Sequence, residues 1–496
     1  MEQTLPRSID YGATLPVGVP AIQRRRRFYP STGAQFGPGL NPEIRIDLES
    51  ANQLLDPANS YLDFVFENND AADSCGFDIS DQVFFDAMRI EQGGRVLSRV
   101  QGLNRLNCTV LSFGQQGHDG RVSESIYGGS RGFNNAGAAN IAPFPNGTTG
   151  DVYLNLRHNA SNLIGPGQTQ RFSIPIQGGL FTQDKLIPLP LLRPGNPLSI
   201  VFELTGANNI GCWTGAGGAA PVAATPYIIR DVSYVGSMVE VGRDVMDQIR
   251  GVQDRMGGQL VISSQDFEYS TSNVPAGSTG DVIMRIPARH RSIKSLFWTA
   301  QSNDLANTAG PVATLAGIYN MSYGGTMNGI SYQLKVGSVV YPPQPVAMSG
   351  ASINAGGPVA GRDMLPRSEM IMELAKAFGS LGWTSPTGQF NTIGYASGQN
   401  GCGNGDNGVG GADIVPRAST TIAGFAAGLD LDAWQRTAIE GGVDSETLAQ
   451  EANLIVSVDP NAGLAGSGNE DMTCHIWVLY DQHYYFNRDG MITFSN

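Results

Sequence analysis

The chain has 496 residues, a formal charge of −13 and only 15% charged residues. Domains usually run to roughly 100–200 residues, so two large units or three small ones are expected. The acidity excludes a nucleic-acid-binding body, which needs clustered Lys and Arg, and no stretch reaches the roughly 18 apolar residues of a membrane-crossing helix.

Apolar residues make up 41% of the chain, and so low a charge suits a protein that buries much of its surface against neighbouring copies. Gly (64) and Pro (28) together form about a fifth of the residues, against roughly 12% on average. They punctuate short apolar runs along the whole length, the pattern of many strands joined by turns and long loops. The five cysteines, Cys75, Cys108, Cys212, Cys402 and Cys474, are odd in number and show no CxxC spacing, so free thiols in a reducing compartment are expected. The opening MEQTLPRSIDYG lacks the apolar core of a signal peptide, which predicts cytosolic synthesis.

Residues 1–42 are rich in Pro and Gly and read as an extended N-terminal arm. They carry the one basic run, Arg24, Arg25, Arg26 and Arg27. Strand signals begin at Glu43–Leu48, where Ile44, Ile46 and Leu48 alternate with polar residues, and recur at Tyr61–Glu67 and Val83–Ile90. After the turn pair Gly93-Gly94, apolar residues at 96, 97, 100, 103, 106 and 110 predict a short amphipathic helix. A long Gly/Asn loop is expected over 114–150, then strands at Val152–Leu156, Gln170–Ile176, Leu198–Leu204 and Tyr227–Val241. The segment Arg243–Met256 reads as a helix stopped by Gly257-Gly258.

The second half repeats the style. Strands are predicted at Leu260–Tyr269, Asp281–Ile286, Ser292–Thr299, Ser331–Tyr341, Leu454–Val458 and His475–Tyr480. A helix is predicted at Ser368–Phe378 with Gly379 as its stop, before a second Gly/Asn loop over 380–420. The expected organisation is an arm over 1–42, one β unit over 43–242, a linker helix over 243–258, and a second β unit over 259–496. Two eight-stranded sandwiches of this kind, each with two Greek keys, would be jelly rolls.

The order of several segments resembles the double jelly-roll major capsid proteins of eukaryotic DNA viruses, including polinton-like viruses, virophages and the nucleocytoplasmic large DNA viruses. In the first half these are SYLDFVFEN, DAMRIEQGGRVLSRVQGLNRL, IPLPLLRPGNPLSIVFEL and YIIRDVSYVGSMVEV. In the second they are SYQLKVGSVVYPPQP, SEMIMELAKAFG and HIWVLYDQHYYFNRDGMITF. The resemblance implies an all-β fold of two consecutive jelly-roll barrels. It also implies a homotrimeric, pseudo-hexameric capsomer that tiles an icosahedral virion shell. The implied partners are neighbouring capsomers, penton and minor capsid proteins, and an internal membrane or genome reached through the arm. The implied location is the virion, assembled in the host cytoplasm or nucleus.

Catalytic signatures are absent: there is no HExxH and no GxSxG, and the five histidines (His118, His158, His290, His475, His483) are scattered. No enzyme activity, metal or cofactor is expected. The run Gly403–Gly408 has the look of a calcium loop but lacks its bidentate Glu, and a surface loop is the simpler reading. The glycines of GAGGAA and GVGGAD sit outside any βαβ unit, and Tyr341–Pro345 is expected to cap a strand rather than to serve as a polyproline ligand. The rival from another class is a jelly-roll carbohydrate-binding or glycan-hydrolysing protein, for which Trp213 and Trp383 would be the contact residues. Arg24, Arg25, Arg26 and Arg27 are the candidate assembly residues. Either they face the shell interior, or they pair with acidic groups on the chain's own barrel.

Overall fold

The computed structural model describes residues 21–71, 74–77, 81–111, 164–206, 211–214, 227–302, 329–348, 368–379, 426–433, 441–446, 451–458 and 471–495, save positions 177, 184 and 276. The long loops expected over 114–150 and 380–420, the strand at Val152–Leu156, Trp383 and the glycine-rich runs at 215–220, 403–408 and 408–413 lie outside these residues.

The first half begins with β1 (Ala21–Phe28), β2 (Gln35–Phe36), β3 (Glu43–Leu48), β4 (Gln53–Asn68) and β5 (Ser74–Phe77). Then come β6 (Phe85–Gln92), β7 (Arg95–Gln101), β8 (Thr169–Pro175), β9 (Leu198–Leu204), β10 (Gly211–Thr214) and β11 (Tyr227–Val241). One sheet runs β1-β11-β4-β8, with β2 added to β11, and the facing sheet runs β3-β9-β6-β7. Alternation places the core: Leu62, Phe64 and Phe66 of β4 are buried while Tyr61, Asp63 and Val65 form the other face. Phe64 packs edge-on to Phe84 and Phe85 and stacks on Phe172 at 5.5 Å.

The second half holds β12 (Gln259–Val274), β13 (Gly280–Ile286), β14 (Ile293–Ser302), β15 (Gly329–Val336) and β16 (Val339–Ala347). It ends with β17 (Ala427–Asp430), β18 (Ala452–Val458), β19 (Met472–Asn487) and β20 (Ile492–Ser495). Its sheets run β12-β19-β14-β17, with β20 on β19, and β13-β18-β15-β16. Counting the eight principal strands of each half in chain order, both halves pair first-eighth-third-sixth in one sheet and second-seventh-fourth-fifth in the other. That is the strand order of a jelly roll, made twice.

Among the described residues no sheet mixes strands from the two halves. Between them lies the helix α1 (Arg243–Arg255), closed by Gly257 and Gly258 at φ 77° and 89°, a backbone state that glycine adopts without strain. The helix α2 (Ser368–Gly379) lays Met370, Leu374, Ala377 and Phe378 on the second barrel, with Phe378 stacked on Phe297 at 5.4 Å.

Four sequence expectations change. Ala21–Phe28 is the first strand of the first barrel rather than part of an irregular arm, so the barrel starts before residue 43. Seven of its eight residues are exposed, so no buried face imposes an alternation that the sequence could display. The segment after Gly93-Gly94 is β7, paired with β6 across a hairpin, and helical backbone begins only at Leu103. The helical spacing of its apolar residues came from running a strand and a short helix together. Asp81–Phe84 is a 3-10 turn that precedes β6. Ser331–Tyr341 is a hairpin turning at Gly337, and the prolines of Tyr341–Pro345 sit inside β16. An edge strand tolerates them because its outer side needs no ladder hydrogen bonds.

Side chains and main chain tie the barrels together at one seam. Gln92, fully buried, donates to the Gly490 carbonyl at 2.8 Å and accepts from the Ile492 N–H at 2.6 Å. Ser264 donates to the Gly179 carbonyl at 2.5 Å and Gln482 to the Leu97 carbonyl at 3.3 Å. Gln92→Ala would leave the Ile492 N–H unpaired and the Gly490 carbonyl with only the Arg193 N–H, 3.1 Å away, and one such buried loss costs about 1–3 kcal/mol. The expected outcome is a drop of about 1–3 kcal/mol in unfolding free energy by urea titration, against near-neutrality for a surface Gln→Ala such as Gln344→Ala.

Candidate functional site

The arginine run lies on β1, an edge strand hydrogen-bonded along β11 in an unbroken antiparallel register from Ala21 opposite Val241 to Phe28 opposite Tyr234. Side chains alternate between faces, so Arg25 and Arg27 share one side and Arg24 and Arg26 the other. Arg27 donates to Asp63 Oδ2 at 2.7 Å and to the Ser233 hydroxyl at 2.7 Å. Arg25 donates to the Tyr61 hydroxyl and lies over that ring at 5.5 Å. Arg24 stands 3.7 Å from Glu240, and Arg26 covers the ring of Phe28 at 4.8 Å. All four therefore have partners on their own barrel, and those of Arg24 and Arg26 are loose.

Asp63 is the anchor beneath this strand. Its side chain is 3% exposed and also receives Arg171 Nε at 2.9 Å, Arg171 Nη2, and the Ser173 hydroxyl at 3.0 Å. Burial alone would raise its carboxyl, but the hydrogen bonds from Arg171, Arg27 and Ser173 outweigh that and hold it down to about 2. The sequence offered no signal for this residue beyond its polar place in an alternating strand, because its partners come from β1 and β8.

The seam between the barrels is the second built region. Asp266, 1% exposed, sits on β12 opposite Tyr480, and its Oδ2 has no hydrogen-bond partner. Ser98 and the Gly179 backbone face it from the first barrel; the Phe267 N–H and, more distantly, His290 face it from its own barrel. Burial pushes its carboxyl up to about 6 against those hydrogen bonds and the His290 charge. His290 meets Glu268 Oε2 at 2.5 Å and stacks on Tyr480 at 3.5 Å. Gly179 is at φ 49°, and a Cβ there would come within 2.5 Å of the Ser98 hydroxyl and 2.9 Å of the Tyr484 hydroxyl. Only glycine allows the barrels to approach this closely.

The histidines and the buried lysine of the second barrel are held by close neighbours. His475 Nδ1 lies 2.7 Å from the Tyr269 hydroxyl, and burial, with the Arg105 charge, holds the ring well below its ordinary pKa. His483 meets the Ser263 hydroxyl at 2.9 Å. Lys294, 5% exposed at its side chain, pairs with Asp432 at 3.1 Å and Asp481 at 3.3 Å. Among the described residues no group of His, Cys, Asp and Glu could hold a metal ion. Trp298 and Trp477 are fully buried in the second barrel and offer no glycan platform.

No protein-family model matches the sequence, and no curated protein matches it. Solved structures do. A chain of the PBCV-1 virus capsid matches with a TM-score of 0.51 at 11% identity, over 98% of this chain and 99% of that one. The Faustovirus major capsid protein matches with 0.53 at 7% identity, over 95% and 91%. A chain of the Sputnik virophage structure matches with 0.50 at 12% identity, over 100% and 93%. The fold is thus the all-β double jelly roll of viral major capsid proteins, over essentially the whole chain.

Two pH responses follow with opposite signs. Asp63 is held low, so its contribution is present above the ordinary carboxylate range and is lost as pH falls through about 2. Asp63→Ala should cost about 2 kcal/mol at pH 7, a deficit that shrinks toward pH 2 in denaturation at graded pH. Asp266 is held high, so its contribution is complete below the ordinary carboxylate value of 3.8 and is lost as pH rises through about 6. From pH 5 to pH 7.5 the protein should lose about 1 kcal/mol from this group, and Asp266→Asn should flatten that slope.

Proposed function

We propose that this chain is the major capsid protein of an icosahedral DNA virus, a structural protein that trimerises into pseudo-hexameric capsomers and tiles the virion shell. The observation that carries the reading is the jelly-roll strand order made twice in one chain, matched end to end by capsid chains of nearly equal length. A protein whose function is geometry needs stiff barrels, a fixed barrel-to-barrel seam and surfaces that other copies cover. The low charge and the buried polar seam supply the first terms of that description.

In this reading the neighbouring capsomers, penton and minor capsid proteins are the partners, the virion is the location, and the arginine strand is an assembly element. Obligate contacts of this kind commonly bury more than about 2,000 Å², and heterologous contacts between identical units extend them into closed shells. The reading calls for no catalysis and no cofactor.

Sedimentation of the purified chain at micromolar concentration and physiological salt should give a trimer, and electron micrographs of the expressed protein should show shells or hexagonal arrays. A stable monomer that binds an immobilised glycan and forms no array would replace this reading with the carbohydrate-binding one.

A further inference from the structure

The two barrels are joined by a seam and by one covalent tether. Among the described residues no sheet crosses between the halves, so the seam is made of side chains and turns. On the first barrel's side these are β7, the turn Gly179–Phe181 and the segment Leu106–Leu111, set against β12, β14 and β20. The tether is Gly242 and α1. Gln253 of α1 is buried and donates to the Phe486 carbonyl at 2.8 Å, which fastens the helix to the second barrel. Gly242, between β11 and α1, has no atom within 4 Å of the place a Cβ would take, so the chain can turn there. Parting the barrels about Gly242 therefore breaks seam contacts and no strand pairing.

Inside the seam two buried oxygens are left over, one from each barrel. Asp266 Oδ2 and Ser98 Oγ make no hydrogen bond, although Asp266 is 1% and Ser98 5% exposed. Ser98 and the Gly179 backbone are the groups that face the carboxyl from the first barrel, and neither carries a charge. From the second barrel the titratable groups around it are Tyr480 and Tyr484 of β19, Glu268 of β12, and His290, which is itself paired to Glu268. A Cβ on Gly179 would stand 2.5 Å from Ser98 Oγ, so the closed seam is too tight here to bring in solvent. A proton on Oδ2 turns the orphan acceptor into a donor, with Ser98 Oγ as the acceptor in front of it. Without that proton a charged oxygen stays buried, and parting the barrels is what returns it to water.

We infer that Asp266 and Ser98 form a proton-operated lock on the seam: with Asp266 neutral the barrels are clamped, and with it ionised they part about Gly242 while each stays folded. The carboxyl changes state at about 6, because burial outweighs its hydrogen bonds and the His290 charge. Its value is raised by the closed seam, so the clamp is complete below 3.8 and is lost as pH rises through about 6. The consequence for a shell rests on the capsid reading above: capsomers rigid in mild acid and yielding at neutral pH.

Two backbone amides report the seam. The Arg193 N–H donates to the Gly490 carbonyl at 3.1 Å and the Ile492 N–H to Gln92 Oε1 at 2.6 Å, each across to the other barrel. The amides of β9, flanked by β3 and β6 within the first barrel, are the control. The test is residue-resolved hydrogen exchange on the full chain at pH 5 and pH 7.5, expressed as protection so that the intrinsic pH dependence of exchange cancels. Protection at Arg193 and Ile492 should fall about five- to tenfold between the two pH values, with β9 unchanged. Asp266→Asn, neutral at both, should keep the acid level of protection throughout. Ser98→Ala, which removes the acceptor, should lose protection at pH 5 and shrink the response. Equal protection in the wild type at both pH values, or a full response in Asp266→Asn, would overturn the inference. So would a loss shared by β9, which would mean that the barrels unfold rather than part. Where Asp266→Asn melts early, Ser98→Ala decides, and an undiminished response in it overturns the lock. The readout needs neither trimers nor shells: a monomeric chain that shows the response supports the lock while removing the capsid reading, and a trimer without it does the reverse.

Discussion

The antiparallel pairing of β12 with β19 is the interaction on which the rest of the molecule depends. It runs for sixteen residue pairs, Gln259 opposite Asn487 to Val274 opposite Met472, with no bulge. It joins the first and last strands of the second barrel, and so closes that barrel across the longest separation in its half. Loop-closure entropy makes such a contact costly to form and hard to do without once formed. The same strands carry Ser264, Asp266, Gln482 and Tyr484, which make the seam with the first barrel. Barrel closure and barrel docking thus share the same two strands.

The seam is polar where a simple hydrophobic joint would have been stable. Gln92 bridges Gly490 and Ile492, and Gly179 is pinched between Ser98 and Tyr484. Apolar surfaces slide with small cost, while a buried hydrogen bond is satisfied in one register only. A unit that must repeat many times in a lattice benefits from a fixed angle between its barrels more than from extra stability. The ionisable Asp266 in this seam makes its strength depend on pH, in the direction of tighter docking in acid.

The charge of the molecule is arranged by the same logic. Arg27 and Arg171 converge on Asp63, Lys294 on Asp432 and Asp481, and Arg89 on Glu43, Glu91 and Glu203. Most of these pairs cross between strands of one barrel, Arg89–Glu91 within β6 and Lys294–Asp432 to a residue just beyond β17 excepted, and they fix register at modest net gain.

Strand and turn positions were legible in the sequence for most strands with one buried face, though not for β7, whose apolar residues run on into a short helix. Glu43–Leu48, Leu198–Leu204, Tyr227–Val241 and the helix after it fall where alternation and glycine stops put them, because local burial imposes a period. The two-barrel class was legible from the style of each half and from the order of segments. β1 was not, because an edge strand exposed on both sides carries no period, and its membership of the barrel is set by β11 more than two hundred residues away. The Asp63 anchor, the Asp266 seam and the equivalence of β1 with β12 were likewise decided only by tertiary structure. Each depends on which distant strands become neighbours, and strand pairing is a property of the folded sheet that no local run of residues encodes.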